Sequence, residues 1–192
     1  MKRLFYLASE IQKLFVKENW RFCFIGGIAL QRWGEPRLTL DVDISLLTGF
    51  KNEAYFIDIL CRKYLSRIEN AEAFALRNRV LLLKSKENIP IDIALAGLPF
   101  EKNAVDRATD FSFLESITLC TCSAEDLVVY KAFADRKKDW ADIEGILCRQ
   151  KDALDMQYIK KQLQPLVEIK ESPHILPQLF DLKSSINNVS PK

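Results

Sequence analysis

Two aspartates stand two residues apart in an apolar run, Asp41-Val42-Asp43, and a third, Asp92, lies between Ile91 and Ile93. Side chains alternate faces along a strand, so Asp41 and Asp43 project from the same side. Carboxylates in apolar strands are disfavoured by propensity and costly when buried without a partner. At about 4 Å two unit charges repel by about 4 kcal/mol at an effective dielectric near 20. A divalent cation turns that repulsion into binding. The three acids therefore read as a carboxylate cluster for one or two Mg²⁺ (or Mn²⁺) ions, able to clamp a triphosphate and activate an attacking hydroxyl for in-line displacement. Gly26-Gly27 follows the apolar run Phe22 to Ile25. Glycines let a backbone approach phosphate oxygens, and the N-terminus of a following helix points N–H groups at an anion. Asp-x-Asp alone would sooner be a solvated strand face. Its combination with the glycine pair and the third acid shifts the balance toward the metal reading.

The elements that must position these residues follow from periodicity. Leu4, Leu7, Ile11, Leu14 and Phe15 recur at helical spacing, which predicts a helix over 3–17. Phe22 to Ile25 reads as a buried strand that Gly26 and Gly27 break. Ile28 to Trp33 fits a short helix stopped by Gly34-Glu35-Pro36. Leu40 to Leu47 reads as a strand with Asp41, Asp43 and Ser45 on one face and Val42, Ile44 and Leu46 on the other. A helix is expected over about 53–65. Residues 67–78 give no clear pattern. Val80 to Leu83 and Ile89 to Leu95 read as a hairpin, or as two adjacent strands joined by a short loop, and Phe111 to Cys122 as extended. From Ser123 the chain turns helical, starting with a hydroxyl cap and two acids in the first turn. Helices are expected to about 134, over about 139–149, 155–169 and 175–182, with the final NNVSPK frayed. The fold class is α+β (α/β): a small mixed β-sheet flanked by helices, with a helical C-terminal part. The division is a catalytic core over 1–122 and a helical region over 123–192 packed on it.

Composition bounds the rest. With 192 residues and 48% hydrophobic content the chain can bury an ordinary core. Its net charge of +2 neither demands nor excludes nucleic acid. Five cysteines, most with apolar neighbours, read as reduced thiols of a cytoplasmic protein. Cys120-x-Cys122 has the wrong spacing for a zinc knuckle, and the single histidine, His174, is distant. The opening MKRLFYLASEIQKLF reads as an amphipathic helix rather than a signal peptide. No uncharged run approaches the roughly 20 residues that span a bilayer, so no membrane role is expected.

The order Gly26-Gly27, Asp41-Val42-Asp43, Ile91-Asp92-Ile93 resembles the nucleotidyltransferase superfamily with the DNA polymerase beta-like fold. GGIALQRWGEPRLTLDVD, with Arg37-x-Thr39-x-Asp41, is most similar to the AbiEii-type branch, which includes toxins of type IV toxin–antitoxin systems. The helical stretch EDLVVYKAFADRKKDWADIEGIL, with Lys131, Asp135, Arg136, Lys138, Asp139 and Asp142, resembles that branch's downstream motif. The resemblance implies Mg²⁺- or Mn²⁺-dependent transfer of a nucleoside monophosphate from an NTP to an acceptor hydroxyl. It implies Asp41, Asp43 and Asp92 as catalytic and metal-binding residues, with Asp92 either third ligand or base. Lys131 would be catalytic, and Gly26, Gly27, Arg37, Thr39 and Asp142 nucleotide-binding. The implied acceptor is an RNA, above all a tRNA 3′ end, with a cognate antitoxin as partner. The alternatives are a protein-adenylylating enzyme and a non-catalytic nucleotide-binding or partner-docking module. On the residues alone, Arg37 serves equally as a surface charge. Trp33 packs a core, and Lys131–Asp135 and Lys138–Asp142 form helical i,i+4 pairs.

Overall fold

The computed structural model describes residues 1–189; Ser190 to Lys192, where the last of the expected fraying falls, lie outside the described residues, and Asn187 continues a helix. By its internal contacts the chain divides into two compact units, Met1–Ile28 with Leu38–Cys122, and Ala29–Arg37 with Ser123–Lys192.

The first unit is built on a seven-stranded mixed sheet. Its strands are β1 (Phe22–Phe24), β2 (Val42–Leu47), β3 (Leu65–Ser66), β4 (Val80–Lys84), β5 (Pro90–Ala96), β6 (Thr109–Leu114) and β7 (Ile117–Thr121). They run in the order β3-β4-β5-β2-β1-β7-β6. β2 pairs parallel with β5 and antiparallel with β1, while β4 and β5 form the expected antiparallel hairpin. The inward faces alternate as the sequence pattern requires: Val42, Ile44, Leu46, Leu81, Leu83, Ile91 and Ile93 are completely buried. Helix α1 (Lys2–Lys17) adds Leu4, Phe5, Leu7, Ala8, Ile11 and Phe15 to this core. Gln12 on the same helix joins it to the sheet, its Nε2 donating to the Thr118 carbonyl and its Oε1 accepting from the Cys120 N–H, both at 2.9 Å. These groups of β7 need a side-chain partner because β1 pairs with β7 only at Phe24–Thr121.

Several boundaries differ from the periodic reading. The helix after β1, α2 (Gly26–Trp33), includes both glycines as its first residues rather than starting after them. β2 begins at Val42, two residues later than expected, because Leu38 and Leu40 are exposed and pair with no strand register. Helix α3 is Glu53–Lys63. The unread stretch after it holds β3 and helix α4 (Ala71–Asn78). Helix α5 (Pro99–Asp106) was not foreseen. Glu101 caps it by accepting from the Gly97 and Leu98 N–H groups at 2.7 and 2.8 Å. The extended run 111–122 is a hairpin, β6–β7, folded at Glu115-Ser116.

The second unit gathers the tail of α2 and its loop with helices α6 (Ala124–Ala134), α7 (Lys137–Gln150), α8 (Met156–Ile169) and α9 (Ile175–Val189). Ser123 caps α6 as expected, its hydroxyl accepting from the Asp126 N–H at 3.1 Å. The wholly buried Asp126 is met by the Ser123 and Tyr158 hydroxyls, both at 2.7 Å. α9 runs seven residues beyond its expected end. The Arg149 guanidinium and the Gln150 amide donate to the Gly34 and Trp33 carbonyls at the end of α2, at 2.6 and 2.8 Å. Trp33 is half-buried beneath Arg32, whose guanidinium lies 4.0 Å from the ring centroid, rather than in the core.

Candidate functional site

The parallel register of β2 and β5 sets Asp43 directly beside Asp92. Neighbouring strands lie about 4.8 Å apart and paired residues share a face, so the two carboxylates project side by side. Asp41 lies just before β2, and its charge acts on Asp92. Burial pushes the Asp92 carboxyl above its usual range, Asp41 adds to that, and Arg67 opposes it from a 2.5 Å contact to Oδ1. Asp41 itself accepts from the Thr39 hydroxyl at 3.0 Å, and Thr39 is buried. Thr39 thus fixes the first acid.

The glycine pair explains itself at this point. Gly26 has φ +55°, and a Cβ there would meet Asp43 Oδ2 at 1.9 Å. A Cβ on Gly27 would meet the Thr39 hydroxyl at 2.0 Å. The start of α2 therefore lies against Asp43 and Thr39 as only glycines allow, and the Gly27 N–H points to Asp43 Oδ2 at 3.4 Å. Gly26→Ala is expected to destabilise the protein by about 1–3 kcal/mol through the left-handed backbone and the overlap. It should also slow turnover by displacing Asp43. Gly49→Ala is the matching control. Gly49 has φ +70° and nothing within 4 Å of the added Cβ, so it carries the backbone cost alone. Urea midpoints of the two variants check this; equal losses would remove the steric part.

The other residues singled out from the sequence form a second constellation, in the second unit. Arg37 grips Asp142 with two bonds, Nε to Oδ1 and Nη2 to Oδ2, both 2.8 Å. Lys131, only 5% exposed, donates to Asp142 Oδ2 at 2.6 Å and lies 3.6 Å from Asp139. Arg136 closes the series on Asp139 at 2.5 Å. Burial works against a charged Asp142, but the bonds from Arg37 and Lys131 outweigh it and hold the carboxyl below its usual range. The expected i,i+4 pair Lys131–Asp135 does not form. Asp135 ends α6 in the left-handed conformation, at φ 59°, which takes it off the helix face. It accepts instead from Trp140 Nε1 at 2.7 Å and lies 3.0 Å from His174 Nε2. The other pair, Lys138–Asp142, gives way to the grip of Arg37 and Lys131 on Asp142.

The family model of the AbiEii nucleotidyl transferase toxin, type IV toxin–antitoxin system, matches residues 7–172. The chain belongs to this family. As an AbiEii nucleotidyltransferase it is an enzyme that transfers a nucleoside monophosphate drawn from an NTP. An antigenic nucleotidyltransferase-like protein from Paracoccidioides brasiliensis is similar in structure at 15% identity and TM-score 0.52, over 94% of this chain and 92% of that one. That likeness shows the nucleotidyltransferase fold. The lincosamide antibiotic adenylyltransferase LnuA, in its lincomycin-bound form, is 17% identical at TM-score 0.47, over 76% and 94% of the two chains. The antibiotic-resistance factor ANT(2'')-Ia is 10% identical at TM-score 0.49, over 97% and 96%. A search of curated protein sequences gives no match.

The AbiEii acids suit a hard divalent ion. Among the described residues no group of three or more His, Cys, Asp or Glu side chains is arranged to hold a metal alone. Mg²⁺, however, is characteristically held by one or two carboxylates together with substrate phosphates. Asp41 and Asp43 are the two carboxylates that could act as such a pair of oxygen donors. Asp92 is engaged with Arg67, a residue sequence reasoning missed because β3, which precedes it, is too short to show a pattern. Among the described residues no helix is long and apolar enough to cross a membrane.

Proposed function

We propose that this AbiEii enzyme is a Mg²⁺- or Mn²⁺-dependent nucleotidyltransferase whose acceptor is an RNA hydroxyl, the 3′ end of a tRNA being favoured. In this reading it acts in the cytoplasm as a growth-inhibiting type IV toxin restrained by a cognate antitoxin. The observation that carries it is the in-register pair Asp43–Asp92, with Asp41 alongside and a glycine-led helix start against Asp43. Asp41 and Asp43 would hold the ion, which when bound neutralises phosphate charge and polarises the transferring phosphoryl group. Gly26 and Gly27 would admit the triphosphate to the start of α2, where backbone N–H groups favour anions. The acceptor hydroxyl forms a bond to the α-phosphorus, the bond to the β-phosphate oxygen breaks, and pyrophosphate leaves. The hydroxyl proton departs to Asp92 or to water; in the former case Asp92 is the base, in the latter a third ligand. Catalysis is then mainly positioning and charge stabilisation. For Arg37, Lys131 and Asp142, the family resemblance supports a role toward the nucleotide, and the geometry supports their mutual pairing.

The test is incubation of purified protein with each α-labelled NTP, Mg²⁺ and total cell lysate, with Asp41→Ala/Asp43→Ala as control. Label removed by RNase and absent from the double variant is the expected result. Label removed by protease would replace the RNA acceptor by a protein. Label in neither fraction, with wild type equal to the double variant, would leave a nucleotide-binding module.

A further inference from the structure

Four residues form one row across the sheet, from its edge to its centre. Ser66 pairs with Leu83, and one residue on the Arg67 N–H donates to the Leu82 carbonyl at 3.0 Å. Leu82 pairs with Asp92, and Asp92 with Asp43. Residues directly opposite in a sheet share a face. Arg67, Leu82, Asp92 and Asp43 therefore stand on the same side, and Arg67 reaches past Leu82 to Asp92 Oδ1 at 2.5 Å. Both partners of this ion pair are 31% exposed, so solvent screens it only in part. The carboxylate array thus has a cation of its own, supplied by the residue that follows an edge strand two residues long.

We propose that Arg67 is a tethered counter-cation of the carboxylate array, which lowers the array's affinity for a free divalent ion and leaves the ion to enter with the nucleotide's phosphates. Three carboxylates, Asp41, Asp43 and Asp92, would concentrate negative charge enough to bind a divalent ion before any substrate arrives. The guanidinium offsets one of the three charges. It also engages one oxygen of Asp92, so an ion that takes both oxygens must displace it. A metal–triphosphate complex overcomes this more readily than a bare ion, because its phosphates bring ligands that the array lacks and negative charge that Arg67 attracts. The inference rests on Asp41 and Asp43 as metal ligands.

The experiment is Mn²⁺ binding to nucleotide-free full-length protein, followed by the loss of the free-ion electron paramagnetic resonance signal. Arg67→Gln keeps a polar, hydrogen-bonding side chain, shorter than arginine, and removes the charge. It should lower the Mn²⁺ dissociation constant at least about fivefold, the scale of an unscreened charge lost several ångströms from the ion. Arg67→Lys, which keeps the charge, should stay near wild type. Arg77→Gln removes the same charge from an exposed position on α4 and should change nothing. Adding Asp92→Asn to Arg67→Gln should cancel most of the gain. Thermal melts identify any variant that fails to fold, and Arg67→Lys carries the comparison in that case. Unchanged or weaker Mn²⁺ binding in Arg67→Gln overturns the proposal while Asp41 and Asp43 stand as ligands. Wild-type binding that survives Asp41→Ala/Asp43→Ala overturns both.

Discussion

Asp43→Asn lowers the rate of nucleotidyl transfer by about a hundredfold to a thousandfold, the range seen when one preorganised stabilising group is removed. The substitution keeps the size of the side chain and its place beside Asp92, but takes away the charge that a divalent ion needs. The Gly27 N–H approaches Oδ2 at 3.4 Å, and an amide at this position can still present an oxygen to it. Folding should not suffer, because the substitution is close to isosteric and takes one negative charge from the in-register pair Asp43–Asp92. The expected signature is therefore a large fall in turnover with a melting temperature equal to or above that of wild type. Label transfer from α-labelled NTP together with a thermal melt reads both. Full activity in a folded Asp43→Asn protein would remove the metal assignment; low activity in a protein that no longer folds would shift the explanation to structure.

The largest effect on stability is expected at Asp142. Its side chain, 6% exposed, holds both Lys131, equally buried, and Arg37. Removing it by Asp142→Ala leaves a buried ammonium with only Asp139 at 3.6 Å, so the loss should be about 3–5 kcal/mol. Lys131→Met in the same background removes the stranded charge and should recover part of that loss. The contribution depends on pH in a defined direction. The folded carboxyl titrates below its ordinary value of about 3.9, so its stabilisation is complete above that value and fades as the pH falls toward the folded one. Urea midpoints at pH 7 and again below pH 4 should show the gap between wild type and Asp142→Asn narrowing with acid. A gap of constant size would mean that packing, and not the ion pairs, sets the cost.

How much of this was legible in the sequence follows from which interactions are local. Alternation over Val42–Leu47 gave one acid-bearing strand and the face of Asp43, because burial on one side imposes a period of two, and the apolar run around Asp92 gave the other strand. The cap at Ser123 was also readable, since its partner, the Asp126 N–H, is three residues away. The start of α2 was misjudged because glycine reads as a breaker. Here its freedom serves a close approach to Asp43 and Thr39, a cause lying 12 to 17 residues downstream. The grip of Arg37 on Asp142 spans 105 residues, and no spacing rule reaches that far. Arg67 was beyond reach for a further reason: its role depends on the lateral order β3-β4-β5-β2, which hydrophobic periodicity does not encode.

That lateral order also governs when activity can appear during synthesis. β2 lies next to β5 and β1 next to β7, so the sheet joins segments far apart along the chain. Non-local pairings of this kind form late, after the intervening segments are available. A ribosome that has reached only β4 has made Asp41 and Asp43 but not their neighbour Asp92, and β1 still lacks its second partner. On the proposed function, a polypeptide truncated before β5 is therefore expected to be inert as a transferase, because it lacks Asp92 and the strand that carries it.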